Sequence, residues 1–174
     1  MIDPITIAPA FIRDPDQSNC QTAEVKFILT RPIGFASRTK PIPNTGYKSE
    51  FLEIQPFAEV TRIELSTGFK WDGPDFHGAQ EASAYHDALY SEVEDIAKEW
   101  EWSVKNVLQW ANDVFNERMD INGTDFAVRE ICYGLVNTFG YPYHEEHQLG
   151  FWTWAAGELG DRLSTPAPTL GNVL

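Results

Sequence analysis

The chain has 174 residues, with 13 basic against 26 acidic side chains and a formal net charge of −13. That length suits one domain with a sizeable core, and that charge excludes the basic face needed to bind nucleic-acid phosphates or dock on anionic lipid. Cys20 and Cys132 are too few for a disulfide framework, Met1-Ile2-Asp3-Pro4-Ile5 lacks the cationic and long apolar regions of a secretory leader, and no apolar run is long enough to span a bilayer, so a soluble chain made in a reducing cytoplasm is expected.

Residues 1–20 are rich in Pro and Asp without clear periodicity and read as an extended arm. One globular domain is expected over residues 21–160. From 21 to about 71 the signal is β. Val25-Lys26-Phe27-Ile28-Leu29 and Tyr47-Lys48-Ser49-Glu50-Phe51-Leu52-Glu53-Ile54 are short mixed segments, and Val60-Thr61-Arg62-Ile63-Glu64-Leu65 alternates well. Arg31-Pro32-Ile33-Gly34 and Pro41-Ile42-Pro43-Asn44-Thr45-Gly46 between them carry turn chemistry. From about 78 the spacing becomes helical, with helices expected near 78–97, 103–119 and 124–139 and a shorter one near 144–158. Residues 161–174, with Ser164-Thr165-Pro166-Ala167-Pro168, read as a flexible or partner-bound tail. The expected class is α+β, a small antiparallel β region followed by a bundle of three main helices.

The first helical segment carries an adjacent His86-Asp87 pair, preceded by the Gly-flanked acidic turn Gly68-Phe69-Lys70-Trp71-Asp72-Gly73. Ala82, His86, Leu89, Val93 and Ile96 recur at helical spacing, so His86 lies on the core-facing stripe. A buried imidazole needs partners for both ring nitrogens. Asp87, about 100° further round the helix, is expected to point elsewhere. A single histidine on an apolar stripe is ordinarily a satisfied core residue, and that reading stands beside the functional one. In the second segment Val104, Val107, Leu108, Ala111, Val114, Phe115 and Arg118 form one broad face. Asn112 falls at its edge and Asp113 on the solvated side. If the two helices pack antiparallel, His86 and Asn112 meet; otherwise Asn112 is an ordinary boundary amide. Both readings are open on periodicity alone.

Four pieces occur in order: Gly68-Phe69-x-x-Asp72, His86-Asp87-x-x-Tyr90, Ala111-Asn112-x-x-Phe115-x-x-x-Met119, and Tyr133-x-x-Val136-x-x-Phe139-Gly140. Over roughly residues 66–140 the chain resembles the phage and prophage domain-of-unknown-function family numbered 1353, and the same order resembles the small bacterial secreted phospholipases A2. The resemblance implies a phospholipase A2-like helical core. It also implies that Asp72, Asp87 and the Gly73 carbonyl hold a calcium ion, oxygen ligands being what that ion takes. His86 would be the general base that activates water, and Tyr90 would brace the site by hydrogen bonding, although a helix-packing aromatic is an equal reading of Tyr90.

The departures from that pattern weigh against activity. Asn112 stands where the aspartate partner of the histidine is expected, and a neutral amide cannot stabilise an imidazolium by charge. Pro74 and Ser83 stand near the positions of the paired cysteines of the secreted enzymes, and the segment from Asp72 to His86 is shorter than in either relative. Elsewhere, His144-Glu145-Glu146-His147 has the wrong spacing for a zinc hydrolase and reads as a loop or first helical turn. Ser91-Glu92-Val93-Glu94-Asp95 reads as a solvated face. Most of Trp100, Trp102, Trp110, Trp152 and Trp154 are expected to pack, while Phe151-Trp152-Thr153-Trp154 is a candidate interface.

Two functions follow as expectations. The first is a bacteriophage structural or assembly component, a tail-associated virion protein made in the host cytoplasm. It would contact other virion subunits through the arm, the tail and aromatic surface, with a degenerate site at His86, Asn112 and Tyr90. The second is a calcium-dependent phospholipase or esterase that acts on host membrane lipid during entry or lysis.

Overall fold

Alternating apolar residues build two antiparallel sheets. The structure, a computed structural model, describes residues 10–13, 27–39, 45–73 and 78–146, of which 141–146 as backbone only. The first sheet runs β1 (Phe11–Arg13), β2 (Phe27–Leu29), β7 (Lys70–Trp71). The second runs β3 (Ile33–Ser37), β6 (Thr61–Leu65), β5 (Leu52–Pro56), β4 (Tyr47–Lys48). All neighbouring strands are antiparallel. With the four helices that follow, the protein is α+β.

Register explains which face is buried. Leu65 lies opposite both Ile33 and Leu52, and Ile63 opposite Phe35 and Ile54. Ile33, Leu52, Ile54, Ile63 and Leu65 therefore share the core face and are all buried, while Glu53 and Glu64 turn the other way. Within the stretch read as an arm, Phe11–Arg13 is a strand of the first sheet. Three residues are too few to show a period. They are held by Phe11, whose ring meets Phe27 at 5.8 Å and Trp71 at 5.5 Å, both edge-on.

The helices are α1 (Ala79–Ser91), α2 (Val93–Glu99), α3 (Val104–Ile121) and α4 (Phe126–Glu146). The first expected helix is thus two. Glu92, at φ −109° and ψ 9°, leaves helical geometry, and its carboxylate accepts a 2.9 Å hydrogen bond from the Tyr47 hydroxyl of β4. Its stripe is nonetheless buried throughout: Ala82, His86, Leu89, Val93 and Ile96. The Ser103 hydroxyl caps α3 by accepting from the Asn106 amide. α4 runs on past 139, the expected end of that helix, through Gly140-Tyr141-Pro142, and Gly140 is packed against Tyr90 of α1. The separate helix expected near 144–158 falls mostly outside the described residues, as do most of the arm, the whole 161–174 tail, Trp152 and Trp154.

α1 is the central element, buried almost all round between β6, β7 and α3, and α3 in turn packs on α2, α4 and β3. Glu117 of α3 is pinned to the end of β3. Its carboxylate accepts from the hydroxyls of Ser37 (2.5 Å) and Thr39 (2.9 Å) and the amides of Arg38 (2.8 Å) and Thr39 (3.3 Å). Partial burial pushes this carboxyl up, but the four donors outweigh it and hold its pKa below the usual range. No helix among the described residues is long and apolar enough to cross a membrane.

Candidate functional site

The end of β7 is set against α1 by two contacts. The Trp71 indole donates to the Gln80 carbonyl at 3.0 Å, and a Cβ on Gly73 would overlap the Ser83 hydroxyl. That close approach, which only glycine permits, buries Asp72 and brings its charge near His86. Ser83 itself donates to the Gln80 carbonyl at 2.8 Å.

His86 is 0% exposed. Its Nε2 lies 3.2 Å from Asn112 Oδ1, so the helix register that makes these two meet is the one the protein adopts. Tyr90, one turn on, lays its ring against the imidazole with centroids 4.1 Å apart and donates its hydroxyl to the same Asn112 oxygen at 2.7 Å. Phe115 closes another side, its ring 5.2 Å from the imidazole.

Asn112 uses every hydrogen-bonding position it has. Its Oδ1 accepts from Tyr90 and His86, and its Nδ2 donates to the Val136 carbonyl (3.3 Å) and to Asn137 Oδ1 (3.0 Å). The Val136 carbonyl can only accept, so it fixes which end of the amide faces the histidine. The imidazole proton on that side must therefore sit on Nε2. Burial pushes the imidazole pKa down to about 4, opposed by the Asn112 hydrogen bond and the Asp72 charge. At neutral pH the ring is neutral.

Asp87 does not point elsewhere. Its Oδ1 is 3.1 Å from His86 Nδ1. The 100° step separates the Cβ directions of neighbouring helical residues, not the ends of their side chains, and this short carboxylate folds back onto the ring. The nitrogen left for a reactant is thus faced by Asp87. Asp113 also departs from expectation. It is half-buried and accepts from the Tyr133 hydroxyl of α4 at 2.6 Å and from Gln109 at 3.1 Å.

Hydrogen bonds join His86, Tyr90 and Asn112 in one network, with the Asp87 and Asp72 carboxylates close to the ring. Gln109 and Asn137 extend it outward, since Gln109 donates to Asn137 Oδ1 at 3.2 Å. Sequence reasoning missed Asn137, because an amide at a helix surface looks like any solvated residue. Gly140 was named only as the end of the fourth motif piece and given no role, although a glycine inside a helical pattern signals a close approach. A Cβ there would overlap the Tyr90 hydroxyl.

The calcium expectation rests on Asp72, Asp87 and the Gly73 carbonyl. These offer fewer oxygens than the six to eight that the ion takes. Among the described residues, no group of three or more acidic, histidine or cysteine side chains converges as a metal site would require. His144 to His147 lies outside the described side chains. Compared with protein-family models, with curated proteins and with solved structures, the chain matches none.

Proposed function

We propose that this chain is a structural or assembly component of a bacteriophage particle, tail-associated, and that its His-Asp helical core serves as a rigid module and not as an enzyme. The observation that carries the non-catalytic reading is the burial of His86. A general base must reach the water that it activates. Here the ring is fully enclosed, Tyr90 and Phe115 lie against it, and both nitrogens face oxygen atoms of the protein's own side chains. Asn112 adds no charge to stabilise an imidazolium. The phage assignment rests on the order of motifs from Gly68 to Gly140, and other virion subunits are the partners it calls for.

A second reading is supported by one feature: the Asp72 and Asp87 carboxylates both lie near the ring. It makes the chain a calcium-dependent phospholipase or esterase. Two measurements separate the readings. Mass spectrometry of gradient-purified particles is expected to find the chain at stoichiometric level. Phospholipid vesicles in millimolar calcium are expected to release no more fatty acid with the wild type than with His86→Ala. Calcium-dependent release that vanishes in His86→Ala would establish the esterase, and absence from particles would refute the virion assignment.

A further inference from the structure

α3 ends on an Asn-Gly pair. Asn122 caps the helix, and Gly123 turns left-handed at φ 72°, a backbone that glycine takes without cost. A Cβ at Gly123 would meet nothing within 4 Å, so the backbone angle alone keeps glycine there. That choice has a chemical side. Glycine puts no side chain beside its own nitrogen, and that nitrogen is the one placed to attack the amide carbon of a preceding asparagine.

Two hydrogen bonds and one torsion block that attack in the fold. The Asn122 Nδ2 donates to the Gly78 carbonyl at 2.8 Å, and the Gly123 amide donates to the Asp120 carbonyl at 3.0 Å. With ψ at −4°, the Gly123 nitrogen eclipses the backbone nitrogen of Asn122, whereas a five-membered ring through Cγ needs it beside Cβ. The Asn122 tie joins the end of α3 to the start of α1. Gly78 precedes α1 at φ 80°, and a Cβ there would fall 2.5 Å from Thr124 Oγ1 and 3.3 Å from the Asn122 carbonyl, so the two turns are closely fitted.

We propose that Asn122 is a deamidation site held latent by its tie to Gly78, and that its modification permanently unties the start of α1 from the end of α3. When the tie opens, the Gly123 nitrogen gives its proton to hydroxide and attacks Cγ. The N–Cγ bond forms, the Cγ–Nδ2 bond breaks, and Nδ2 leaves as ammonia. Water then opens the cyclic imide at one of its two carbonyls, leaving aspartate or isoaspartate at 122. The sum is one water taken up and one ammonia released. Neither product remakes the tie, because the donor is gone and an oxygen is left facing the Gly78 carbonyl. In isoaspartate the chain also runs through the side chain, which lengthens by one carbon a turn that must fit Gly78. The inference does not depend on the functional reading above.

The test incubates the full chain at pH 8 and follows the tryptic peptide 119–129, whose only side-chain amide is Asn122, by mass spectrometry. The folded wild type is expected to deamidate on the order of tenfold more slowly than the chain in urea. Gly78→Ala, strained at φ 80° and crowded against Thr124, is expected to remove most of that protection while the chain stays folded by circular dichroism. Gly140→Ala, which weakens the fold at the far end of α1, is expected to keep it. Asn122→Asp, the direct product, is expected to lower Tm by about 2–4 °C. Equal rates in the folded and urea-unfolded wild type would overturn the proposal, whatever becomes of the variants. So would a folded Gly78→Ala that deamidates at the wild-type rate, a Gly140→Ala that matches Gly78→Ala, or an Asn122→Asp with unchanged Tm.

Discussion

Replacing Asn112 with aspartate restores the charge that a histidine-activating partner would supply, yet the structure argues that it costs stability. The carboxylate keeps two bonds, accepting from His86 Nε2 and the Tyr90 hydroxyl. It loses the two that Nδ2 donates, and so turns an oxygen toward the Val136 carbonyl and Asn137 Oδ1. Asn137 is exposed and its amide can turn to donate, but Val136 has no such freedom. One buried acceptor left without a donor costs about 1–3 kcal/mol, and the charge-assisted bond to His86 returns a similar amount. Desolvation of the new carboxylate tips the balance, so Asn112→Asp is expected to lose about 2 kcal/mol at pH 7, lowering Tm by roughly 4–8 °C for a chain of this size. The pH dependence gives the reasoning a sharper signature. In the wild type His86 titrates at about 4 when folded against 6.5 for an ordinary histidine. The unfolded chain therefore binds the proton first as pH falls. Stability held above pH 6.5 is lost on the way down to pH 4, by on the order of 3 kcal/mol. An aspartate at 112 raises the folded pKa and removes part of that loss, so the gap between variant and wild type should narrow from pH 7 to pH 5. Urea denaturation at the two pH values measures the gap, and NMR titration of the imidazole measures the midpoint. An unchanged midpoint, or a gap that widens on acidification, would refute the argument.

Gly140→Ala is expected to push the Tyr90 hydroxyl off Asn112 and destabilise by about 2–3 kcal/mol. Tyr90→Phe should cost about 1 kcal/mol alone and recover part of the Gly140→Ala loss, which a double-mutant cycle in urea would read as coupling. Glu101, in the turn between α2 and α3, is held at φ 54°, a conformation that glycine adopts freely. Glu101→Gly is expected to stabilise by about 0.5–1 kcal/mol, seen as a raised Tm; a lowered Tm would mean that the glutamate makes up for its strain.

How much of this was legible depended on whether one chain segment could supply the signal. Thr61–Leu65 alternates, and it is an inner strand of the second sheet, paired on both sides. The stripes put His86 on the core face and Asn112 at an edge from which it could reach a neighbouring helix, and of the two readings left open the structure adopts the one in which they meet. The break at Glu92 was invisible because the apolar stripe continues across it, and Tyr47, which donates to the Glu92 carboxylate, is far away in sequence. Asp87 was misplaced because a helical wheel tracks Cβ directions only. The pinning of Glu117 by Ser37, Arg38 and Thr39 could not be read from either segment, since neither carries half of it in recognisable form. Asn112 looked like an aspartate lost. In the structure it is an amide with every donor and acceptor engaged.

The two sheets are nested along the chain, and this has a kinetic consequence. The chain leaves the first sheet at Leu29, supplies every strand of the second between Ile33 and Leu65, and returns to the first at Lys70. The Leu29 amide then donates to the Phe69 carbonyl at 3.0 Å, and the Gly68 amide to the Leu29 carbonyl at 2.9 Å. β2 and β7 are far apart in an unstructured chain, and closing that loop is entropically slow. Once β5 and β6 have paired across their short connection and β3 has joined them, the ends of the excursion are already close. The first sheet is thus expected to close as a clasp on a finished insert. Changes in the β5–β6 hairpin belong to the folding rate, and changes at Phe11 or Trp71 belong to the rate at which the clasp opens.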